Sequence, residues 1–221
     1  MKRILIVGAG DVASRMLPWL TRLCKVRALV RRPEAMRAWR HGGAIPVLGD
    51  LDEPASLQRI QGIADWVVHC APPASQGEHD VRTRHLLAAL AGGASLPQRL
   101  IYISTTGVYG DWGGRQGDEC QPARPVTVRA RRRVDAEQQI RSWGRRLGVK
   151  CIILRAPGIY AGDRLPLARL QRGDPVLLRD EDVFTNHIHA EDLARLLWWG
   201  LVHGQAGRVY NAVDDSDMLL G

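Results

Sequence analysis

A short apolar run, Ile4-Leu5-Ile6-Val7, leads straight into Gly8-Ala9-Gly10-Asp11-Val12-Ala13. The run reads as a buried strand, and the glycines after it open a helix. That context gives the glycine pattern its chemistry. Gly8 permits a tight turn, Gly10 lets the backbone approach a pyrophosphate, and Ala13 is small enough for helix and strand to pack closely. The N–H groups at the helix start, from Asp11 through Val12 to Ala13, have no partner within the helix and favour an anion. The expected ligand is therefore a dinucleotide; the alternative is a plain strand-to-helix turn.

A second feature selects the cofactor. The next apolar strand, Lys25 to Val30, ends about twenty residues past the glycines, where an NAD site usually places an acid on the ribose 2′-hydroxyl. This chain has Arg31 and Arg32 there. A carboxylate would repel a 2′-phosphate, whereas a guanidinium pairs with it in a bidentate way. NADP(H) is expected over NAD(H), with NAD(H) as the alternative. In a chain this rich in arginine, the pair also reads as loop solvation.

These residues need a scaffold, and the remaining pattern supplies one. Apolar strands at about 3–7, 25–30, 44–48, 66–70, 99–103, 151–154 and 208–212 alternate with helical patterns. The helices are expected at about 11–23, 33–41, 54–61, 78–92, 126–147 and 190–202. Repeated β-α units with short connections predict a doubly wound parallel sheet with helices on both faces. A ligand then lies over the carboxyl ends of the strands. Those ends carry Gly8–Ala13, Arg31–Arg32, Gly49–Asp50, Ala71–Pro73, Ser104–Gly107 and Ala156–Tyr160.

Composition bounds the rest. With 221 residues and 45% hydrophobic content, the chain suits one sizeable domain over 1–221, and residues 156–221 would contribute a partial substrate side. No apolar stretch reaches membrane-spanning length and no signal peptide is evident. Cys24, Cys70, Cys120 and Cys151 form no CxxC pair, which fits a reducing cytoplasm and excludes a disulfide or metal framework. The seven histidines show no metal spacing. The net charge of +8 raises the question of nucleic acid, and Arg129-Ala130-Arg131-Arg132-Arg133 is the densest basic run. Asp135 and Glu137 interrupt it, so it is expected as a solvated helix face and not a nucleic-acid surface.

Five further segments occur in order: Gly49-Asp50-Leu51, His69-Cys70-Ala71-Pro72-Pro73, Tyr102-Ile103-Ser104-Thr105-Thr106-Gly107-Val108-Tyr109-Gly110, Arg155-Ala156-Pro157-Gly158-Ile159-Tyr160 and His187-Ile188-His189-Ala190-Glu191-Asp192-Leu193-Ala194. Together they resemble the extended short-chain dehydrogenase/reductase superfamily, of the NAD-dependent epimerase/dehydratase type, over almost the whole chain. The resemblance implies a Rossmann fold and hydride transfer to or from a carbon of a small hydroxyl or carbonyl compound, a sugar nucleotide included. It gives Gly8, Gly10 and Ala13 to the phosphate loop and Arg31 to the ribose. It sets Asp50 and Leu51 by the adenine, Ala71 and Pro72 along the cofactor, and Pro157, Gly158 and Ile159 beside the nicotinamide. Ser104 falls on the cofactor side, and Thr105, with Thr106, is the hydroxyl that orients a substrate oxygen.

One departure is serious. In this superfamily a Tyr-x-x-x-Lys pair moves the hydroxyl proton. Registering Glu137 on the family's acid puts Arg133 at the Lys position and Arg129 at the Tyr position. An arginine stays protonated and cannot act as the phenol does. Arg133 keeps the capacity to hold a ribose or a phosphate. No tyrosine lies between Tyr109 and Tyr160, which leaves either of those two, Tyr109 first, as the acid candidate on a neighbouring loop. Two functions follow: an oxidoreductase with an atypical proton route, or a non-catalytic NADP(H) sensor that reports to a partner protein. At the other end, Met218-Leu219-Leu220-Gly221 looks like a helix start. A short substrate cover there would expose apolar surface and invite a partner or a second copy of the chain.

Overall fold

The structure, a computed structural model, describes residues 1–163, 165, 171–173, 182–215 and 218–219. In chain order the elements are β1 (Arg3–Val7), α1 (Asp11–Leu23), β2 (Lys25–Val30), α2 (Ala35–His41), β3 (Ile45–Leu48), a 3-10 segment (Pro54–Ile60), β4 (Trp66–His69) and α3 (Val81–Ala91). They continue with β5 (Arg99–Thr105), a 3-10 turn (Thr106–Tyr109), α4 (Val128–Leu147), β6 (Lys150–Ala156), β7 (Gly158–Tyr160), β8 (Phe184–Thr185), β9 (His187–His189), α5 (Ala190–His203), β10 (Val209–Asn211) and β11 (Met218–Leu219).

Seven strands form one sheet in the order β10-β6-β5-β4-β1-β2-β3, and every neighbouring pair runs parallel. The order reverses direction at β1, so the chain winds outward from the centre twice. The predicted doubly wound α/β fold is what forms. Register aligns Val7 with Leu29 and with His69, and His69 with Tyr102. The carboxyl ends therefore share one edge, where all of the chemistry-bearing segments emerge.

Side chains alternate between two cores because successive strand residues point to opposite faces. Ile4 and Ile6 of β1 join Met16, Leu20, Trp39, Leu193 and Leu197 on the face covered by α1, α2 and α5. Leu5 and Val7 join Leu57, Leu86, Leu100, Tyr102, Ile140 and Trp143 on the face covered by α3 and α4. Burial on both faces explains why these strands read as unbroken apolar runs. Trp19 and Trp66 both contact Trp198 with ring centroids 6.0 Å apart, while its neighbour Trp199 is exposed.

Several boundaries differ from expectation, each for a local reason. α3 starts at Val81, not 78, because the Asp80 carboxylate accepts the Thr83 N–H at 3.1 Å and caps it. α4 starts at Val128 because Thr127 Oγ1 accepts the Ala130 N–H at 3.1 Å. The helix expected at 54–61 is a 3-10 segment. α4 ends at Gly148, whose φ of +71° continues the chain in the left-handed region. Met218–Leu219 pairs antiparallel with Phe184–Thr185, so a strand stands where the sequence suggests a helix start. Among the described residues, no helix is long and apolar enough to cross a membrane.

Candidate functional site

The glycine loop is shaped by a neighbour. Gly8 has φ +90°, and a Cβ on it would lie 2.2 Å from the Ala71 nitrogen. The loop after β1 thus packs on the backbone that follows β4, and only glycine permits both the torsion and the contact. Gly10 is the opposite case. It donates its N–H to Gly8 O at 2.8 Å, and a Cβ there would meet nothing within 4 Å. Open space faces the Gly10 backbone, and α1 begins with no side-chain cap. Val12 and Ala13 are buried and anchor the first turn to the sheet. Asp11 pairs with Arg15 at 2.9 Å, and Arg15 also holds Asp163 at 2.7 Å. With no side-chain cap at the start of α1 and open space facing Gly10, this cradle fits a pyrophosphate.

Arg31 and Arg32 are both exposed just past β2. Arg31 Nε lies 4.0 Å from Asp50 Oδ2, a loose contact that leaves most of the guanidinium to solvent. Asp50 is fixed by its surroundings: its Oδ1 accepts the Asp52 N–H at 3.0 Å, and its own N–H is donated to Ser56 Oγ at 2.8 Å. Leu51 is buried, and its carbonyl meets His85 Nδ1 at 2.7 Å. Asp52 is held below the usual carboxylate range by hydrogen bonds from Arg82. That arginine grips both Asp52 oxygens at 2.7 and 2.6 Å and reaches Pro72 O and Pro73 O at 3.3 and 3.4 Å.

The far end of the edge holds Ser104, Thr105, Thr106 and Tyr109. Ser104 is buried and donates to Glu137 Oε1 at 2.5 Å, so its hydroxyl serves the protein interior. Thr105 Oγ1 accepts the Gly107 N–H at 3.2 Å and keeps its own proton to donate. Thr106 is half-buried at the start of the 3-10 turn. Tyr109 is committed: its hydroxyl donates to Asn211 Oδ1 at 2.8 Å, and Arg155 Cζ lies 4.6 Å from its ring centroid. Ala156 pairs with Thr105 in register, which brings Pro157 beside the threonines. Gly158 and Ile159 then leave in β7 to pair with His187 and Ile188.

The arginine run is not the solvated face that the sequence suggests. Arg132 and Arg133 are buried, because each finds carbonyls that are remote in sequence. Arg132 Nη1 donates to Ser75 O and Gly77 O at 2.8 and 3.0 Å. Arg133 Nη1 donates to Ile103 O at 2.7 Å and to Tyr102 Oη at 2.9 Å. Arg131 pairs with Glu78 at 3.3 Å. Arg129 is exposed. Glu137 forms a buried bidentate pair with Arg155, with Nη2–Oε2 at 2.7 Å.

Sequence reading missed Tyr102 and His69. The Tyr102 hydroxyl sits against Arg133, the residue at the expected Lys position, but the ring is fully buried and burial pushes its pKa up. It is no proton donor for a substrate. His69 stacks on it with centroids 4.9 Å apart, and its Nε2 lies 2.9 Å from Thr83 Oγ1. Burial lowers the His69 pKa to about 3 and raises that of the Cys70 thiol to about 12. The available signal was the alternation in β5, which puts Leu100, Tyr102 and Ser104 on one face, together with the α4 stripe Arg133–Glu137 that meets it.

Comparison with known proteins agrees with this geometry. The family model of the NAD dependent epimerase/dehydratase family matches residues 4–212. Human dTDP-D-glucose 4,6-dehydratase is 25% identical over 142 residues, which cover 61% of this chain and 40% of that protein. A conserved protein of unknown function from Silicibacter pomeroyi is 28% identical with a TM-score of 0.77, over 99% of this chain and 74% of that one. A putative NAD-dependent epimerase/dehydratase from Methylobacillus flagellatus is 25% identical with a TM-score of 0.77, over 99% and 77% of the two chains. The fold is shared with a dTDP-glucose 4,6-dehydratase from Bacillus anthracis in complex with NAD, at 18% identity and a TM-score of 0.79 over 98% and 76% of the two chains. From the glycine loop at Gly8 to the strand that carries Asn211, the chain belongs to the NAD dependent epimerase/dehydratase family.

Proposed function

We propose that this chain binds NADP(H) in preference to NAD(H) and is an oxidoreductase of a small hydroxyl or carbonyl compound, sugar nucleotides included, without the usual phenol relay. Arg31 carries the reading. It stands exposed at the carboxyl end of β2 where an NAD site has an acid, and its one ion pair among the described residues is the 4.0 Å contact with Asp50. A 2′-phosphate has an unengaged guanidinium to meet there, with Arg32 beside it. Gly8, Gly10 and the uncapped start of α1 take the pyrophosphate. A nicotinamide bound there would supply or accept the hydride.

The chain's own part is positioning. Thr105 keeps a proton to donate to a substrate oxygen, and Thr106 stands next to it. Arg133, fixed by Ile103 O and Tyr102 Oη, holds a positive charge behind them. Water takes the place of the phenol, because Tyr109 is engaged with Asn211 and Tyr102 is sealed in the core. That same engagement of both phenols favours a second reading, a non-catalytic NADP(H) sensor.

Fluorescence titration of the full chain with NADPH, NADP+ and NADH is the test. Tighter binding of NADPH than of NADH is expected, and equal binding removes the cofactor assignment. A panel of carbonyl compounds followed by NADPH absorbance then separates the readings: steady turnover eliminates the sensor.

A further inference from the structure

Arg129, Arg133 and Glu137 follow one another at four-residue spacing on α4 and so share a face, each about one 5.4 Å turn from the next. Their charges are balanced very differently. Glu137, the deepest, is neutralised by Arg155 in a pair whose side chains are 5% and 6% exposed. Arg133, one turn nearer the carboxyl edge, is only 8% exposed. Its partners, Ile103 O and Tyr102 Oη, are neutral, and its buried Nε has no hydrogen-bond partner. Arg129, a further turn out, is exposed and makes no ion pair or hydrogen bond among the described residues.

Among the described residues neither of these two has a carboxylate within ion-pair distance, although Asp80 and Glu137 both act on Tyr102, the partner of Arg133. Arg131 is taken by Glu78, and Arg132 by the carbonyls of Ser75 and Gly77. The buried acids among the described residues are Asp80 and Glu137. Asp80 accepts from the Thr83 N–H and hydroxyl, and Glu137 belongs to Arg155. The first turn of α4 carries no acid, so its positive pole adds to the same field. A buried cation whose direct partners are all neutral is costly, and an anion that reaches it relieves that cost.

We propose that the substrate is held at this place by an anionic oxygen group, a carboxylate or a phosphoryl group, gripped by Arg129 with Arg133 and the amino end of α4 behind it. The inference rests on the reading of this edge as the cofactor and substrate site. Thr105, one residue past the Ser104 that Glu137 binds, then donates to the neighbouring carbonyl or hydroxyl oxygen. A guanidinium suits this work because its planar fork matches carboxylate and phosphate oxygens. The substrate class is accordingly an acid or a phosphorylated compound with an oxygen next to the reacting carbon.

The test is an NMR titration of the full chain, with and without NADP+, using pyruvate, its neutral analogue pyruvamide and inorganic phosphate. Pyruvate or phosphate should bind, and pyruvamide should bind at least about tenfold more weakly than the anion, as expected for loss of a charge-assisted contact. Whether pyruvate or phosphate binds tells a carboxylate from a phosphoryl group. Arg129→Gln should weaken the anion by about tenfold, and Arg129→Lys should restore part of it. Arg145→Gln, the same loss of charge at the other end of α4, should change it less than about twofold, since screening removes distant surface charges. Equal anion binding by wild type and Arg129→Gln, equal binding of pyruvate and pyruvamide, or no binding of either anion overturns the inference. The NADPH titration reads the cofactor assignment separately, so the two fail independently.

Discussion

Glu137 and Arg155 meet in a bidentate pair, Nη2–Oε2 2.7 Å and Nε–Oε1 3.1 Å, under the end of β5. Ser104 Oγ donates to the same carboxylate, and Arg155 lies over the ring of Tyr109. One buried acid thus ties α4 to both β5 and β6. Glu137→Gln keeps the shape but leaves Arg155 buried without its counter-charge, and should cost about 3–5 kcal/mol of stability. Urea unfolding measures this. A loss below about 1 kcal/mol would show that water reaches Arg155 and that the pair is not buried in solution.

Arg31→Asp exchanges the guanidinium at the end of β2 for the acid that reads a 2′-hydroxyl. Affinity for NADPH should fall about tenfold or more, and NADH should gain relative to it. Cofactor fluorescence reports both. An unchanged NADPH/NADH ratio would place the 2′-phosphate away from Arg31.

His69 makes stability pH-dependent in a window of its own. Burial lowers its pKa from 6.5 to about 3. Below pH 6.5 the unfolded chain takes up a proton that the folded chain refuses. Stability is therefore full above 6.5 and falls as the pH drops toward 3, by about 1.4 kcal/mol per unit at most. Asp52 and Asp65, both lowered from 3.8 by their arginine partners, add their losses only from about that value downward. Urea midpoints between pH 6 and 4 should decline in the wild type and flatten in His69→Gln. A His69 ring resonance that titrates near neutral pH would contradict the burial of its uncharged form.

Tyr109 separates structural duty from proton transfer. Removing its hydroxyl in Tyr109→Phe strands Asn211 Oδ1 and should cost about 1 kcal/mol of stability. Loss of a general acid would instead slow turnover by roughly 10²–10⁴-fold. With the phenol engaged by Asn211, thermal unfolding should register the change while NADPH-linked turnover falls by less than about threefold, below the general-acid range. A hundredfold loss of rate would return Tyr109 to the role of proton donor.

The alternation of strands and helices was legible because parallel strands buried on both faces are continuous apolar runs and their helices keep helical spacing. Ile4–Val7 and Val12, Met16 and Leu20 illustrate both patterns. The glycine loop was legible as well, since Gly8 answers a backbone demand that few residues meet. The arginines of α4 were not. What buries Arg132 is the carbonyls of Ser75 and Gly77, and what buries Arg133 is Tyr102 and Ile103. Those partners lie some thirty to sixty residues away in the chain, and no local pattern announces them. The same holds for Tyr109, whose partner Asn211 comes from the last strand of the sheet. Local composition predicts where a charge is affordable; only the fold says which charges have company.

Arg82 joins two places that the sheet keeps apart. It grips Asp52 beyond β3 and the carbonyls of Pro72 and Pro73 beyond β4, across the width of β1 and β2. The two loops consequently behave as one body. A ligand lying along this edge orders a single unit, and the conformational entropy it must overcome is that of one loop rather than two. Their fluctuations should rise and fall together, so that loosening the loop after β3 is felt at the loop after β4 before any residue there has been touched.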